Sequence, residues 1–192
     1  MGNYLNPGST MFQGSLRSQI YIDKSNLIKQ MNALLYTEQR YVCVSRPRRF
    51  GKSMAANMLT AYYDREADTK SLFSGLKISR DISFNENINK YDVIKINMQE
   101  FLSATQSVDE MLRLLQKRIL TDLRNKYPEY TTEENLVFAM QDVFGKTKSP
   151  FIILIDEWDC LFREYEQNRD AQKKYLDFLR FWLKDKEYIA LA

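Results

Sequence analysis

The sequence predicts an α/β protein, a three-layer α/β/α sandwich with a mainly parallel sheet, and three observations carry that reading. Residues 41–45, 91–98 and 151–155 are short apolar or β-branched runs of strand length, separated by longer stretches with helical periodicity. Strand, helix, strand in repetition implies parallel strands, right-handed crossovers and helices on both faces. Residues 151–155, Phe-Ile-Ile-Leu-Ile, are apolar without alternation and follow Pro150, the pattern of a parallel strand covered on both faces. With 192 residues, 44% of them apolar, one domain spanning 1–192 can bury an independent core.

Taken in order, residues 1–18 are polar and rich in Gly, Ser and Asn, with no apolar stretch of signal-peptide or anchor type. Ser25 is expected to cap a short helix whose apolar face is Leu27, Ile28, Met31, Leu34 and Leu35. That helix leads to the first strand, 41–45, a turn, and a helix over 54–64. Residues 65–90 read as irregular, with Gly75 and several Asn favouring turns. The second strand, 91–98, alternates. Ser107 and Glu110 form a capping box for a long helix that Pro128 stops at Tyr127. Thr131 and Glu134 predict a second box, for a helix ending at Gly145. After strand 151–155, Asp170 opens a helix in which Tyr175, Phe178, Leu179, Trp182 and Leu183 make a core-facing stripe at i, i+3, i+4, i+7 and i+8. Residues 163–174 read as a solvated charged face. The last strand is 188–192.

Composition narrows the chemistry. The chain has no histidine, which excludes His-ligated zinc and His-based catalytic triads. Two cysteines, Cys43 and Cys160, make no disulfide framework and point to a reducing, cytoplasmic setting. A net charge of +3 neither argues for nucleic acid nor, with a pI near 8.7, excludes it. No apolar run is long enough to span a membrane, and self-association stays open.

The chemistry-bearing run is Ser45-Arg46-Pro47-Arg48-Arg49-Phe50-Gly51-Lys52-Ser53, between a strand and a helix. This is the build of a phosphate-binding loop: glycine for a tight turn against an anion, Lys52 for the terminal phosphates, and the Ser53 hydroxyl for magnesium. The helix that follows aims its positive end at the same anion. The usual loop has glycine five places before Gly51, where this chain has Arg46. Pro47 removes an amide there, so the cradle is assigned to the amides from Arg49 to Ser53, with Arg48 and Arg49 adding charge suited to phosphate. About a hundred residues on, a spacing ordinary for such sheets, strand 151–155 ends in Asp156-Glu157, where open α/β sheets bind ligands. Asp156 is expected to hold Mg2+ and Glu157 to activate the attacking water. Asp159 reads as a second acid of the site or as a helix N-terminal charge, the latter being favoured. Trp158 faces either the site or the core. Asp23-Lys24-Ser25 reads equally as a nucleotide-side motif or as a helix cap with an ion pair.

The run from Arg46 to Ser53, preceded by Tyr21-Ile22-Asp23-Lys24-Ser25 and followed by Ile155-Asp156-Glu157-Trp158-Asp159, resembles the predicted AAA-ATPase-like proteins of bacteria, from about Asn3 to Ala192. In that family the arginine-proline opening of the loop is usual. The resemblance implies ATP as the nucleotide, a phosphate-loop (P-loop) NTPase fold, and an extra strand between the loop strand and the Asp-Glu strand. Longer members carry a helical lid and a domain similar to PD-(D/E)XK nucleases, neither of which is expected before Ala192. Residues 188–192 resemble the strand that, in the family, leads to the polar residue sensing the γ-phosphate, so the core is expected to stop after its fourth strand, with binding the firmer expectation and hydrolysis the further one. The expected activity is Mg-ATP binding with hydrolysis to ADP and phosphate. Its alternatives are a nucleotide-binding switch or interaction module without turnover, and a P-loop kinase.

Overall fold

The structure, a computed structural model, describes residues 2–45, 47 and 50–192. In chain order the elements are α1 (Thr10–Leu16), α2 (Asn26–Leu34), α3 (Lys52–Tyr63), α4 (Lys70–Phe73), a 3-10 turn (Lys77–Arg80), α5 (Phe84–Asn87), β1 (Asp92–Asn97), α6 (Met98–Ser103), α7 (Val108–Lys126), α8 (Leu136–Thr147), β2 (Phe151–Asp156), α9 (Cys160–Glu164), α10 (Arg169–Leu183) and β3 (Ile189–Leu191). The three strands form an open, all-parallel sheet in the order β1-β2-β3. Asp92 pairs with Phe151 and the ladder runs without a break to Asn97 and Asp156.

Side chains alternate across these strands, and the two faces are covered by different helices. Val93, Ile152 and Ala190 join a core with α1, α2, α3 and the segment 65–91, built around Phe12, Ile28, Tyr62, Tyr63 and Phe73. Ile94, Ile96, Phe151, Ile153 and Ile189 join the opposite core, supplied by α6 to α10 with Met111, Leu115, Met140 and Trp182 at its centre. This is the expected three-layer arrangement. The stripe on α10 is core as read: Tyr175 and Trp182 are fully buried, and Phe178, Leu179 and Leu183 pack against them.

Residues 41–45 depart from expectation in regularity. They hold no assigned strand, and Tyr41, Cys43, Val44 and Ser45 are exposed. Val42 N nonetheless donates to Ala192 O at 2.8 Å and Ala192 N to Arg40 O at 3.0 Å, a fragment of parallel ladder. The segment therefore runs beside β3, which lies between it and β2. With a partner on one side and little burial, it keeps two ladder bonds and no more pleat.

The other edge is closed by the N-terminal segment. Leu5 bridges Ile94 in antiparallel fashion, through Asn6 N to Val93 O at 2.7 Å and Lys95 N to Tyr4 O at 2.9 Å. Covering the outer edge of β1 removes a template for strand addition. Beside it lies a buried polar knot. Asp92, fully buried, accepts from Asn6 Nδ2 (2.8 Å), Lys126 Nζ (2.6 Å), Arg65 Nη1 (3.3 Å) and the Tyr127 hydroxyl (2.5 Å).

Several caps differ from the sequence reading. Ser107 caps α7 as expected, accepting from Glu110 N, while Glu110 reaches Gln106 N. Ser25 stands at the N-terminus of α2, but its hydroxyl accepts from Ile78 N. Asn135, not Thr131, caps α8, and Thr131 donates instead to the Tyr127 carbonyl. α8 passes through Gly145 and ends at Lys148, which takes the left-handed conformation at φ 53°. Asn168, not Asp170, caps α10. The irregular stretch 65–90 contains α4, the 3-10 turn and α5, each a single turn.

Removing Asp92 leaves two cations and a tyrosine hydroxyl without their buried acceptor. Asp92→Ala is expected to lower the unfolding free energy by about 3 kcal/mol, at the low end for a broken buried pair because Lys126 and Arg65 keep some contact with water. Asp109→Ala, which breaks the exposed pair with Lys174, is expected to cost less than about 1 kcal/mol. Urea unfolding of the two variants checks the contrast.

Candidate functional site

Gly51 begins the site. Its φ of 77° and ψ of 34° are left-handed, a conformation glycine adopts without steric cost. It is the N-cap of α3, and Ala55 N donates to Gly51 O at 3.0 Å as the first helical bond. Gly51 has no side chain with which to cap this helix, and the first turn contains no acid, so the positive end of the helix carries no acid of its own. Lys52 and Ser53 are its first two residues, Lys52 half-buried and Ser53 exposed. Phe50 is exposed and its carbonyl accepts from Lys24 Nζ at 2.6 Å. Arg48 and Arg49, expected in the cradle, and Arg46 lie outside the described residues.

The second part of the site is the carboxyl end of β2. Asp156 is half-buried and its Oδ1 accepts from Glu157 N at 3.0 Å. By strand alternation Asp156 shares a face with Ile152 and Leu154, the α3 face, as Lys95 and Asn97 of β1 share it with Val93. Lys95 Nζ donates to Asn57 Oδ1 in the second turn of α3. The first turns of α3 thus stand over the carboxyl ends of β1 and β2, which brings Gly51-Lys52-Ser53 and Asp156-Glu157 to one edge of the sheet.

Glu157 takes the left-handed region at φ 51°, unusual for a non-glycine residue, and opens a turn into α9. Its Oε2 pairs with Arg163 Nη2 at 2.5 Å, and the same guanidinium reaches Asp159 Oδ1 at 2.7 Å through Nη1. Arg163 belongs to α9, in the helix layer opposite α3. Asp159 occupies the N-cap position of α9, as favoured, yet makes no capping bond because its carboxylate is turned to Arg163. Trp158 is part-exposed, edge-on to Phe162, with its carbonyl accepting from the Tyr175 hydroxyl.

Asp23-Lys24-Ser25 joins two segments. Asp23 accepts from Ser25 N (2.8 Å) and from Lys77 N (2.9 Å). Burial raises its carboxyl, but the hydrogen bonds from Ser25 and Lys77 outweigh that and hold it below the ordinary range. Lys24 alone of the three turns to the loop.

Lys95 was not legible as a site residue. The sequence signal was a lone lysine between Ile94 and Ile96 in a strand whose neighbours are buried, which simple alternation passes over. Burial lowers its pKa, with the Asp156 charge acting in the opposite sense.

A family model described as Predicted AAA-ATPase matches residues 12–189, a span that takes in the Asp23 motif, the loop and Asp156 to Asp159. The chain belongs to that family. Neither a curated protein nor a solved structure matches it. For this AAA-ATPase-like chain, the family description brings nucleotide binding, which suits a helix N-terminus opened by glycine with a lysine in its first turn.

Because the folded-state pKa of Lys95 is depressed, the unfolded chain binds more protons in the window between that value and the ordinary 10.5, and stability contributed through Lys95 rises with pH across it. Lys95→Met removes the effect. The stability of the natural chain relative to Lys95→Met is expected to improve as pH rises from neutral toward the ordinary 10.5, measured by urea unfolding across that range. A constant difference would show that Lys95 is ordinarily solvated.

Proposed function

We propose that this chain is a Mg-ATP-binding P-loop ATPase, one domain over 1–192, that hydrolyses ATP to ADP and phosphate. The observation that carries the reading is the N-terminus of α3, opened by left-handed Gly51 with no acid in its first turn, standing over the strand end that bears Asp156 and Glu157. Amides from Arg49 to Ser53 would receive the phosphates, Lys52 would contact the β- and γ-phosphates, and Arg48 and Arg49 would add charge. The magnesium donors would be the Ser53 hydroxyl and Asp156. That donor set is hard and sparse. No group of three or more His, Cys, Asp or Glu that could hold a metal occurs among the described residues, which fits a cation completed by the nucleotide's own oxygens and by water rather than by a protein cage. The metal, when bound, offsets charge on the transferring phosphoryl group. Glu157 would orient and deprotonate the attacking water.

Glu157 is paired with Arg163, whose guanidinium engages its Oε2. Turnover on this reading requires Glu157 to exchange that partner for water. The same pair is the observation that favours the second reading, a nucleotide-binding switch without turnover. Free thiols at Cys43, exposed, and Cys160, buried, support a cytoplasmic setting. No helix among the described residues is long and apolar enough to cross a membrane.

Titration of Mg-ATP into the chain, with a phosphate-release assay alongside, tests both readings. Lys52→Ala is expected to lose measurable binding. Glu157→Gln is expected to keep binding while turnover falls by about a hundredfold or more. A well-folded natural chain that does not bind Mg-ATP would sink the ATPase reading. Normal turnover by Glu157→Gln would remove Glu157 from the chemistry, and binding without any phosphate release would favour the switch.

A further inference from the structure

Lys24 comes from an anchored turn. Asp23 holds Ser25 N and Lys77 N, and the fully buried Ser25 receives Ile78 N on its hydroxyl at 3.1 Å. From this base the lysine side chain reaches the phosphate loop, where its ammonium donates to Phe50 O at 2.6 Å. It also lies so close to Gly51 that a Cβ there would stand 2.8 Å from Nζ.

The peptide between Phe50 and Gly51 is trans, so its carbonyl and its N–H point in opposite directions. A cation fixed on the carbonyl oxygen therefore aims the Gly51 N–H to the other side. Turning that peptide over changes ψ of Phe50 and φ of Gly51, and glycine takes either sign of φ at similar cost. The loop thus has two accessible orientations at this one peptide. One offers an amide to an anion, and the other offers a carbonyl oxygen that would repel it. The bond from Lys24 also polarises the peptide and makes its N–H a stronger donor.

We propose that Lys24 is a positioning residue that locks the Phe50–Gly51 peptide with its carbonyl outward and its Gly51 N–H available to phosphate, so that the Asp23-Lys24-Ser25 turn presets the loop before nucleotide arrives. The proposal rests on the phosphate-binding reading of the loop for its functional consequence, and on the geometry alone for the orientation of the peptide. It resolves the two sequence readings of Asp23-Lys24-Ser25 in a third way: Asp23 and Ser25 brace the segment after Leu76, and Lys24 acts on the loop.

Two measurements on Lys24→Met decide it. The chain has six glycines, so glycine-selective 15N labelling gives a spectrum simple enough to assign. The Gly51 amide signal is expected to move in the unliganded variant while those of Gly14, Gly75 and Gly145, which have no neighbours close to their Cβ positions, stay in place. Mg-ATP affinity is expected to fall about tenfold with an unchanged unliganded thermal midpoint. An unmoved Gly51 signal, or an affinity within about twofold of the natural chain, overturns the proposal. If neither the natural chain nor Lys52→Ala binds Mg-ATP, the nucleotide reading fails separately, and the Gly51 signal alone decides the orientation claim. Should Lys24→Met fail to fold, Lys24→Gln repeats both measurements.

Discussion

A parallel ladder from Asp92 and Phe151 to Asn97 and Asp156 joins β1 to β2, and the rest of the molecule hangs on its alternation. Because successive side chains leave opposite faces, a single register decides which residues meet α3 and which meet the layer of α6 to α10. Ile94, Ile96 and Ile153 go to one core, while Val93, Ile152 and Leu154 go to the other. The same parity sends Lys95, Asn97 and Asp156 beneath α3. A slip of β1 by one residue would turn Lys95 into the layer of α6 to α10 and send Ile94 and Ile96 toward α3. The apolar cost of that exchange fixes the polar geometry, although no polar contact at the site would be strong enough to do so alone.

The two charged residues of β1 show how the layers treat burial differently. Asp92 begins the strand with every lone pair answered, by two cations, a tyrosine and an asparagine, and helps to weld the N-terminal segment, α7 and the segment after α3 to the sheet edge. Lys95, toward the other end, has an amide oxygen for a partner and the charge of Asp156 nearby, and its depressed pKa records that incomplete compensation. A compensated charge stabilises a joint. An undercompensated one beside a cleft raises the positive potential there, the sign that suits an incoming phosphate.

The layers and the parallel strands were legible because they rest on patterns that few competing contacts can disturb. Five consecutive apolar residues after Pro150 admit little besides a buried strand, and the stripe from Tyr175 to Leu183 has one face to bury. Helix ends were less legible, since a cap is decided by whichever backbone amide is nearest in space. Ser25 reads as a cap by sequence distance, yet Ile78 N, far along the chain, reaches its hydroxyl. Gly145 looks like a stop, but α8 continues to Thr147, and Lys148 takes the left-handed C-cap position instead. Of the site, the loop and the Asp156-Glu157 pair could be read because their residue types are specific in sequence order. Lys95 and Arg163 could not, because what distinguishes them is a partner brought from another element.

The resting arrangement has a common feature on both sides of the strand end. Lys24 sits on a loop carbonyl, and Arg163 sits on Glu157 and Asp159. Both cations occupy oxygen atoms, but with opposite consequences. A carbonyl held outward leaves its peptide N–H for an anion, so the Lys24 contact prepares the loop. One oxygen of the Glu157 carboxylate is taken by the guanidinium, so on the ATPase reading that contact gives way when Glu157 takes up water. Arg163 is not deeply buried and its ion pairs are partly screened, which keeps the exchange within reach of modest binding energy. On the proposed reading, binding and turnover thereby rest on different contacts: the Lys24 bond would set the loop in advance of ligand, whereas the carboxylate opposite it would exchange Arg163 for water.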